Sequence, residues 1–389
     1  MIDEIFSYRK KNKRLVIGLM SGTSADGIDT ALVEIENSFI DTRFRLIDFK
    51  CFDYPERTRK KIFNLFDTKK ANVELLSECN FELGRLFAQS CKKLISGNGL
   101  KIRDIDLISS HGQTVYHDPC ARIPSTLQIG ESSVIAKLTG VMVVSDFRTG
   151  DVALGGQGAP FVPYADFMLF RHPEKNRVVL NIGGISNITF IPKGAGPEDV
   201  TAFDTGPGNM AIDRLVGIFT GGKKMYDKNG RIAQKGRVNK KLLYGLLKDR
   251  FVLKPPPKST GRENYGMIFV EKLLKENKEI GFTDIIATVS AFTSESIAIN
   301  VEKFIPEKVD EIIVSGGGAC NDFLTGYLKK RMNDVKFYES DFFGIPVFAK
   351  EAIEFALLGN DTLMMHPVNL PNVTGAKRSA IMGKVTFGG

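Results

Sequence analysis

Near the start of the chain, apolar positions cluster in two short β-rich runs around a small polar turn. Arg14-LVIGLM gives way to SGTSADGID and then to TALVEI, ending at Ile35. Runs of this kind around Ser, Gly, Thr and Asp predict a hairpin. A third strand is expected near Phe44–Phe52. Apolar spacing of three and four residues predicts helices over about Glu56–Phe66 and Val73–Ile95. Leu107–Ser110 reads as a short buried strand, followed by HGQTV and another strand near Gly140–Val144.

The pattern then restarts. Arg177-VVLNIGGISNITFI has the layout of the first hairpin, and Asp204-TGPGNMAID opens a helix with Pro207 near its first turn. Glu311-IIVSGGGACND is a strand ending in glycines before a helix from about Asn321, and Glu351–Leu363 is a last amphipathic helix. Two strand–glycine turn–strand units roughly 165 residues apart predict duplicated halves. They imply an α/β chain of two domains, 1–145 and 146–389, with a ligand cleft between them. The Lys-rich stretch 221–279, with Pro255, Pro256 and Pro257 before Lys258-STGRE, reads as an insertion in the second half. Within it, Thr260 and Glu263 have the spacing of a capping box.

Composition narrows the class. At 389 residues the chain is too long for one compact core, and 43% hydrophobic with 25% charged residues is ordinary for a globular protein. Apolar runs such as Leu15–Met20 are too short for a membrane span, and no secretory leader is expected, which points to the cytoplasm. Five scattered cysteines and four histidines give poor material for disulfides or zinc. The net charge of +8 is spread along the chain with acids interleaved, which favours a solvated surface over a nucleic-acid groove.

Three glycine-rich strand ends point to a nucleotide. In Gly18-LMSGTSADG, glycines let backbone approach an anion while Ser21, Thr23 and Ser24 add hydroxyls, although no Walker lysine follows. Asn181-IGGISN repeats the device, with Gly183 and Gly184, and Ser315-GGGAC adds Gly316, Gly317 and Gly318. Asp26 or Asp29 would hold Mg²⁺ through water, or serve as an Asx-turn residue. Asp204, beside Thr205-GPGN, is the candidate catalytic base, with a helix N-cap as the competing role. In Asp146-FRTGDVALGGQGAPFVP, Arg148 either grips a substrate carboxylate or pairs with Asp146, and Gln157 is a further substrate candidate. His111 is expected to be a satisfied, hydrogen-bonded histidine.

These motifs resemble the anhydro-N-acetylmuramic acid kinases of the actin/hexokinase superfamily. The resemblance runs nearly end to end, through GLMSGTSADGIDTALVEI, SHGQTVYH, DFRTGDVALGGQGAPFVP, NIGGISNITF, FDTGPGNMAID, PPPKSTGRE, VSGGGACN and PNVTGA. It implies a duplicated actin/hexokinase-like, ribonuclease H-like fold and an ATP- and Mg²⁺-dependent kinase. The implied reaction opens the ring of 1,6-anhydro-N-acetylmuramic acid with water and phosphorylates O6, serving peptidoglycan recycling and amino-sugar catabolism. Asp204 matches the family's base. Gly18, Leu19, Met20, Ser21, Gly22, Thr23, Ser24 and Ala25 match its phosphate loop. Gly206, Gly208 and Asn209 join the nucleotide set, and Glu351 looks like the sugar-contacting glutamate. Its plain alternative is an acid complementing a helix dipole. Ala25 stands where the family usually has a large apolar residue, and the basic stretch 1–14 exceeds what the family needs. A homodimer is expected. An ordinary sugar hydroxyl kinase and a non-catalytic nucleotide sensor are the rival readings.

Overall fold

The computed structural model describes residues 2–389. In chain order the first strands are β1 (Lys13–Ser21), β2 (Gly27–Glu36), β3 (Arg43–Asp53), β4 (Leu107–Asp118), β5 (Ser125–Ile129) and β6 (Val143–Ser145). The remainder are β7 (Arg177–Ile182), β8 (Ile185–Ile191), β9 (Thr201–Pro207), β10 (Glu311–Ser315), β11 (Lys336–Glu339) and β12 (Lys384–Thr386).

Packing divides these elements into two units. One runs from the N-terminus to Leu169 and takes back Gly344–Gly389; the other is Phe170–Phe343. The first sheet has the order β12-β6-β4-β1-β2-β3, with β5 paired to β4, and the second the order β11-β10-β7-β8-β9. In each, an antiparallel three-strand meander continues into two parallel strands: β3-β2-β1-β4-β6 in one, β9-β8-β7-β10-β11 in the other. The same order and the same directions on two sheets are the expected duplication. The fold is α/β, built on two mixed sheets.

The domain boundary differs from the expected 145/146. Phe147–Ala153 and Val162–Phe170 follow β6, and the helix Lys350–Leu363 packs on β1, β2 and β4. Side chains alternate along a strand. Ile17 and Leu19 on β1 therefore face the buried side of Glu56–Phe66 and Val73–Gly97. Gly18, on the opposite face, meets the returning helix. A Cβ there would lie 1.8 Å from the Ala352 carbonyl oxygen, so only glycine lets the backbones come this close. The N-terminal helix Ile2–Lys10 docks onto the same element, Tyr8 donating to Asn360 Oδ1 at 2.9 Å.

The second unit is organised around the helix Phe282–Phe304. Length and composition alone would let it cross a membrane, which the short apolar runs of the sequence did not suggest. Thr288, Thr293, Ser294, Ser296 and Asn300 on it are nonetheless fully buried against protein. Thr293 donates to the Gly208 carbonyl at 3.2 Å and Asn300 to the Thr205 carbonyl at 3.0 Å, fixing β9 and the turn after it. Leu243, Val252 and Tyr265, from the expected insertion, form a small core with Ala291 and Phe292 of that helix.

Candidate active site

The candidate site residues fall into two groups, one in each unit. In the second, Asp204 lies within β9 rather than at a helix start; the helix begins at Met210 with Asn209 as its N-cap. The pairing of β8 with β9 passes from Asn187–Asp204 to Ser186–Gly206, leaving Thr205 as a bulge. Bulges re-aim side chains beside functional sites. Here the extra residue is pinned by a 2.6 Å hydroxyl contact between Ser186 and Thr205.

The segment after the prolines locks onto this strand. Asp204 donates its N–H to the Lys258 carbonyl at 3.2 Å, and Thr260 donates its N–H to Asp204 Oδ2 at 2.8 Å. The expected Thr260–Glu263 capping box is absent for that reason. The N–H that Glu263 would have to bind is already given to Asp204, and the short helix Arg262–Tyr265 is capped by Gly261. Lys258 is 7% exposed. It donates to the carbonyls of Phe251 at 3.1 Å and Val252 at 3.0 Å, over the rings of Phe203, Phe251 and Phe304. Burial pushes the Asp204 carboxyl up to about 6, against the Thr260 hydrogen bond and the Lys258 charge, which hold it down. A carboxylate with one oxygen bonded, the other free and its pKa near neutrality suits a general base. Burial likewise lowers the Lys258 ammonium to about 8.

The glycines proposed to meet nucleotide fall into two kinds. A Cβ on Gly208 would lie 2.3 Å from the Gly183 carbonyl oxygen, and one on Gly318 2.3 Å from Ile182 Cγ2. Gly316 would similarly meet Asn181 Oδ1 at 2.4 Å, and Gly206 is buried against Val252 and Ser296. These four serve packing. Gly183 and Gly317 have no atom nearer than 3.5 Å to such a Cβ; the Gly183 N–H is given to the Ile185 carbonyl at 3.1 Å, while the Gly317 backbone has open space around it. Asn209 donates to the Ile182 carbonyl at 3.2 Å, bracing the same turn. Beside it, a groove of about 930 Å³ is lined by Gly184, Met210, Asp213, Arg214, Arg262 and Met267. Burial and the neighbouring Asp227 push the Asp213 carboxyl up to about 7. Sequence reasoning passed over this groove because its residues are spread across three segments.

In the first unit the turn after β1 also divides. Gly18 and Leu19 are buried within the strand, so the expectation that they touch a nucleotide does not hold; their backbone and side chains serve the sheet and its two helix layers. Met20 pairs with Asp29 in the hairpin. The hydroxyl of Ser21 is spent inside the protein. It receives a bond from Tyr54 Oη at 2.8 Å and lies 2.7 Å from Gln113 Oε1. Ala25 is fully buried and has φ +48°, a backbone conformation that crowds larger side chains. Gly22, Thr23 and Ser24 remain at the surface, and a Cβ on Gly22 would meet nothing nearer than Ser24 Oγ at 3.8 Å. Ser24 donates to Asp26 Oδ1 at 2.7 Å, leaving the exposed Asp26 a second oxygen.

Arg148 does not pair with Asp146, whose partner is Lys384. Its Nε donates to His111 Nε2 at 2.9 Å and its Nη1 to the Gly158 carbonyl at 2.8 Å. Burial lowers the Arg148 guanidinium to about 10, while the negative charge of Glu351 raises it. Burial and Asp29 push the Glu351 carboxyl up, whereas Lys350 and Arg148 hold it down. Arg148, Glu351 and Asp29 thus form one electrostatic group. Gln157 presents an exposed side chain and anchors its backbone N–H on Thr374 at 2.8 Å.

The sequence profile of the family described as "Anhydro-N-acetylmuramic acid kinase" matches residues 14–388. The chain belongs to the anhydro-N-acetylmuramic acid kinase family. It is 47% identical to a protein of that name from Caldanaerobacter subterraneus subsp. tengcongensis, covering 99% of this chain and all of the relative. A relative of the same name from Bacillus cereus is 44% identical over 96% of this chain and 99% of its own length. Among solved structures, a ROK family glucokinase from Streptomyces griseus, in complex with glucose and AMPPNP, aligns at 12% identity with a TM-score of 0.38, covering 89% of this chain and 99% of its own. The activator of 2-hydroxyisocaproyl-CoA dehydratase from Clostridium difficile aligns at 12% identity and TM-score 0.45, covering 90% and 96%. The protein is therefore a kinase, and the anhydro-N-acetylmuramic acid kinase profile begins at Arg14, just past the N-terminal helix.

Proposed function

We propose that the protein opens the internal ether of 1,6-anhydro-N-acetylmuramic acid with water and transfers the γ-phosphoryl group of ATP to the released O6. The observation that supports this most is Asp204: half-buried, gripped through one oxygen by Thr260 N–H, with its pKa raised to about 6. The substrate's 6-oxygen lies in the ether and carries no proton, so a base cannot activate it directly. Asp204 instead takes a proton from water, whose oxygen bonds to C1 as the C1–O6 bond breaks. O6 then takes the phosphoryl group, and ADP leaves. The product is N-acetylmuramic acid 6-phosphate, the substrate of peptidoglycan recycling in the cytoplasm.

The residues fit a nucleotide. Open backbone at Gly22 in the first unit and Gly317 in the second, with the hydroxyl of Thr23, offers donors to phosphate oxygens. Asp26 has a free oxygen for Mg²⁺, an ion that takes few protein carboxylates and keeps phosphate and water ligands. Such an ion would neutralise charge on the phosphates. Arg148 grips the lactyl carboxylate and Glu351 the sugar. The protein acts as a homodimer.

Asp204→Asn tests the base. Turnover should fall by at least about a thousandfold for ring opening and phosphorylation together, with an unchanged circular dichroism spectrum. Near-normal activity in that variant would remove Asp204 from the mechanism.

A further inference from the structure

His111 sits at 5% exposure behind the first unit's candidate substrate group, and none of the steps above uses it. Its ring is fully committed. Nε2 accepts from Arg148 Nε at 2.9 Å, and Nδ1 lies 2.8 Å from the Gly112 carbonyl, an acceptor to which it must donate. An imidazole that accepts at one nitrogen and donates at the other is neutral, with its proton on Nδ1. Burial and the Arg148 charge push its pKa down to about 3, in keeping with that state. The ring also packs on Phe355 at 4.8 Å, and Phe355 on Phe147 at 5.7 Å, which fixes its plane.

The second hold on Arg148 is equally built. Its Nη1 donates to the Gly158 carbonyl, and Gly158 N–H is held by Asp151 Oδ2 at 2.8 Å. The other oxygen of the buried Asp151 takes bonds from Asn369 at 2.9 Å and Thr374 at 2.8 Å. Of the five guanidinium hydrogens, Nε–H and one on Nη1 are thus spent. What remains is one hydrogen on Nη1 and two on Nη2, donors of the kind that bind a carboxylate.

We propose that His111 is the positioning residue for acid recognition: as a permanently neutral acceptor it fixes Arg148 so that its unspent Nη donors select sugars bearing a carboxylate. The inference rests on the reading of Arg148 as the grip on the lactyl group. It assigns the SHGQTVYH motif to substrate choice rather than proton transfer. A charged residue could not replace the ring. Lysine would repel the guanidinium, and a carboxylate would neutralise the charge the substrate needs.

The test compares two substrates in the full-length protein with Mg-ATP: 1,6-anhydro-N-acetylmuramic acid, and the same anhydro sugar without its lactyl group, measured by turnover or as a competitor. His111→Phe keeps the ring stack but loses the acceptor. It should raise KM for the acid sugar roughly tenfold or more, with kcat within about twofold and no change for the sugar lacking the acid. His111→Gln, with one acceptor and one donor, should restore the wild-type ratio. ¹⁵N NMR of the wild-type ring should report the Nδ1–H tautomer, unprotonated from pH 5 to 8, whether or not the Phe variant folds. Equal losses for both sugars, failure of Gln to rescue, or a ring that titrates in that range overturns the proposal. If the wild-type protein does not turn over the anhydro sugar at all, the underlying reading falls, and this one with it.

Discussion

Asp204 answers to two opposing demands. Burial sharpens a base but favours its protonated form. The Thr260 N–H and the Lys258 ammonium offset that tendency, leaving the pKa about 6. A base works only when ionised, so kcat/KM should rise with slope one through about pH 6 and level off above it. Lys258→Met removes the charge that pulls the value down. It should move this acid limb to higher pH without changing the plateau greatly, whereas an unmoved limb would mean that the lysine does not act on Asp204. Part of this site was legible in the chain: an aspartate before Thr-Gly-Pro-Gly, at the end of an apolar run, is unusual enough to stand out. Thr260 was not, because Thr-x-x-Glu before a helix has a sufficient local explanation in capping. Only the tertiary fold reveals that a strand some fifty residues earlier has claimed the same N–H.

At the scale of elements, the hairpins and glycine turns were readable because strand alternation and turn chemistry are local. What was not local was the purpose of each glycine. Gly18 and Gly22 look interchangeable in GLMSGTS, yet one lies under a helix from the far end of the chain and the other faces open space. Substitution separates them. Gly18→Ala would drive a methyl into the Ala352 carbonyl and should cost roughly 1–3 kcal/mol or more, seen as a lower denaturation midpoint. Gly22→Ala should change stability by less than about 0.5 kcal/mol and instead raise KM for ATP several-fold. Equal destabilisation by the two would contradict the division into packing and ligand-facing glycines. The same long-range contact explains the misplaced domain boundary. A helix that returns to the first sheet carries no mark of its destination in its own amphipathic pattern.

Over the whole molecule, duplication was the most legible feature, since two similar hairpins imply two similar sheets, and the two sheets share one strand order. Family membership then sets the kind of reaction, and the chemistry of a ring-closed substrate sets its order. An ordinary hydroxyl kinase needs a base to take a proton from its acceptor. Here the acceptor oxygen has none until the ether opens, so water must enter the product. The most direct test is turnover of 1,6-anhydro-N-acetylmuramic acid with Mg-ATP in ¹⁸O water, with the product analysed promptly by mass spectrometry. One ¹⁸O should appear on C1 and none in the phosphate ester. A 6-phosphate whose C1 oxygen carries no label, or phosphorylation confined to sugars with a free 6-hydroxyl, would contradict the account.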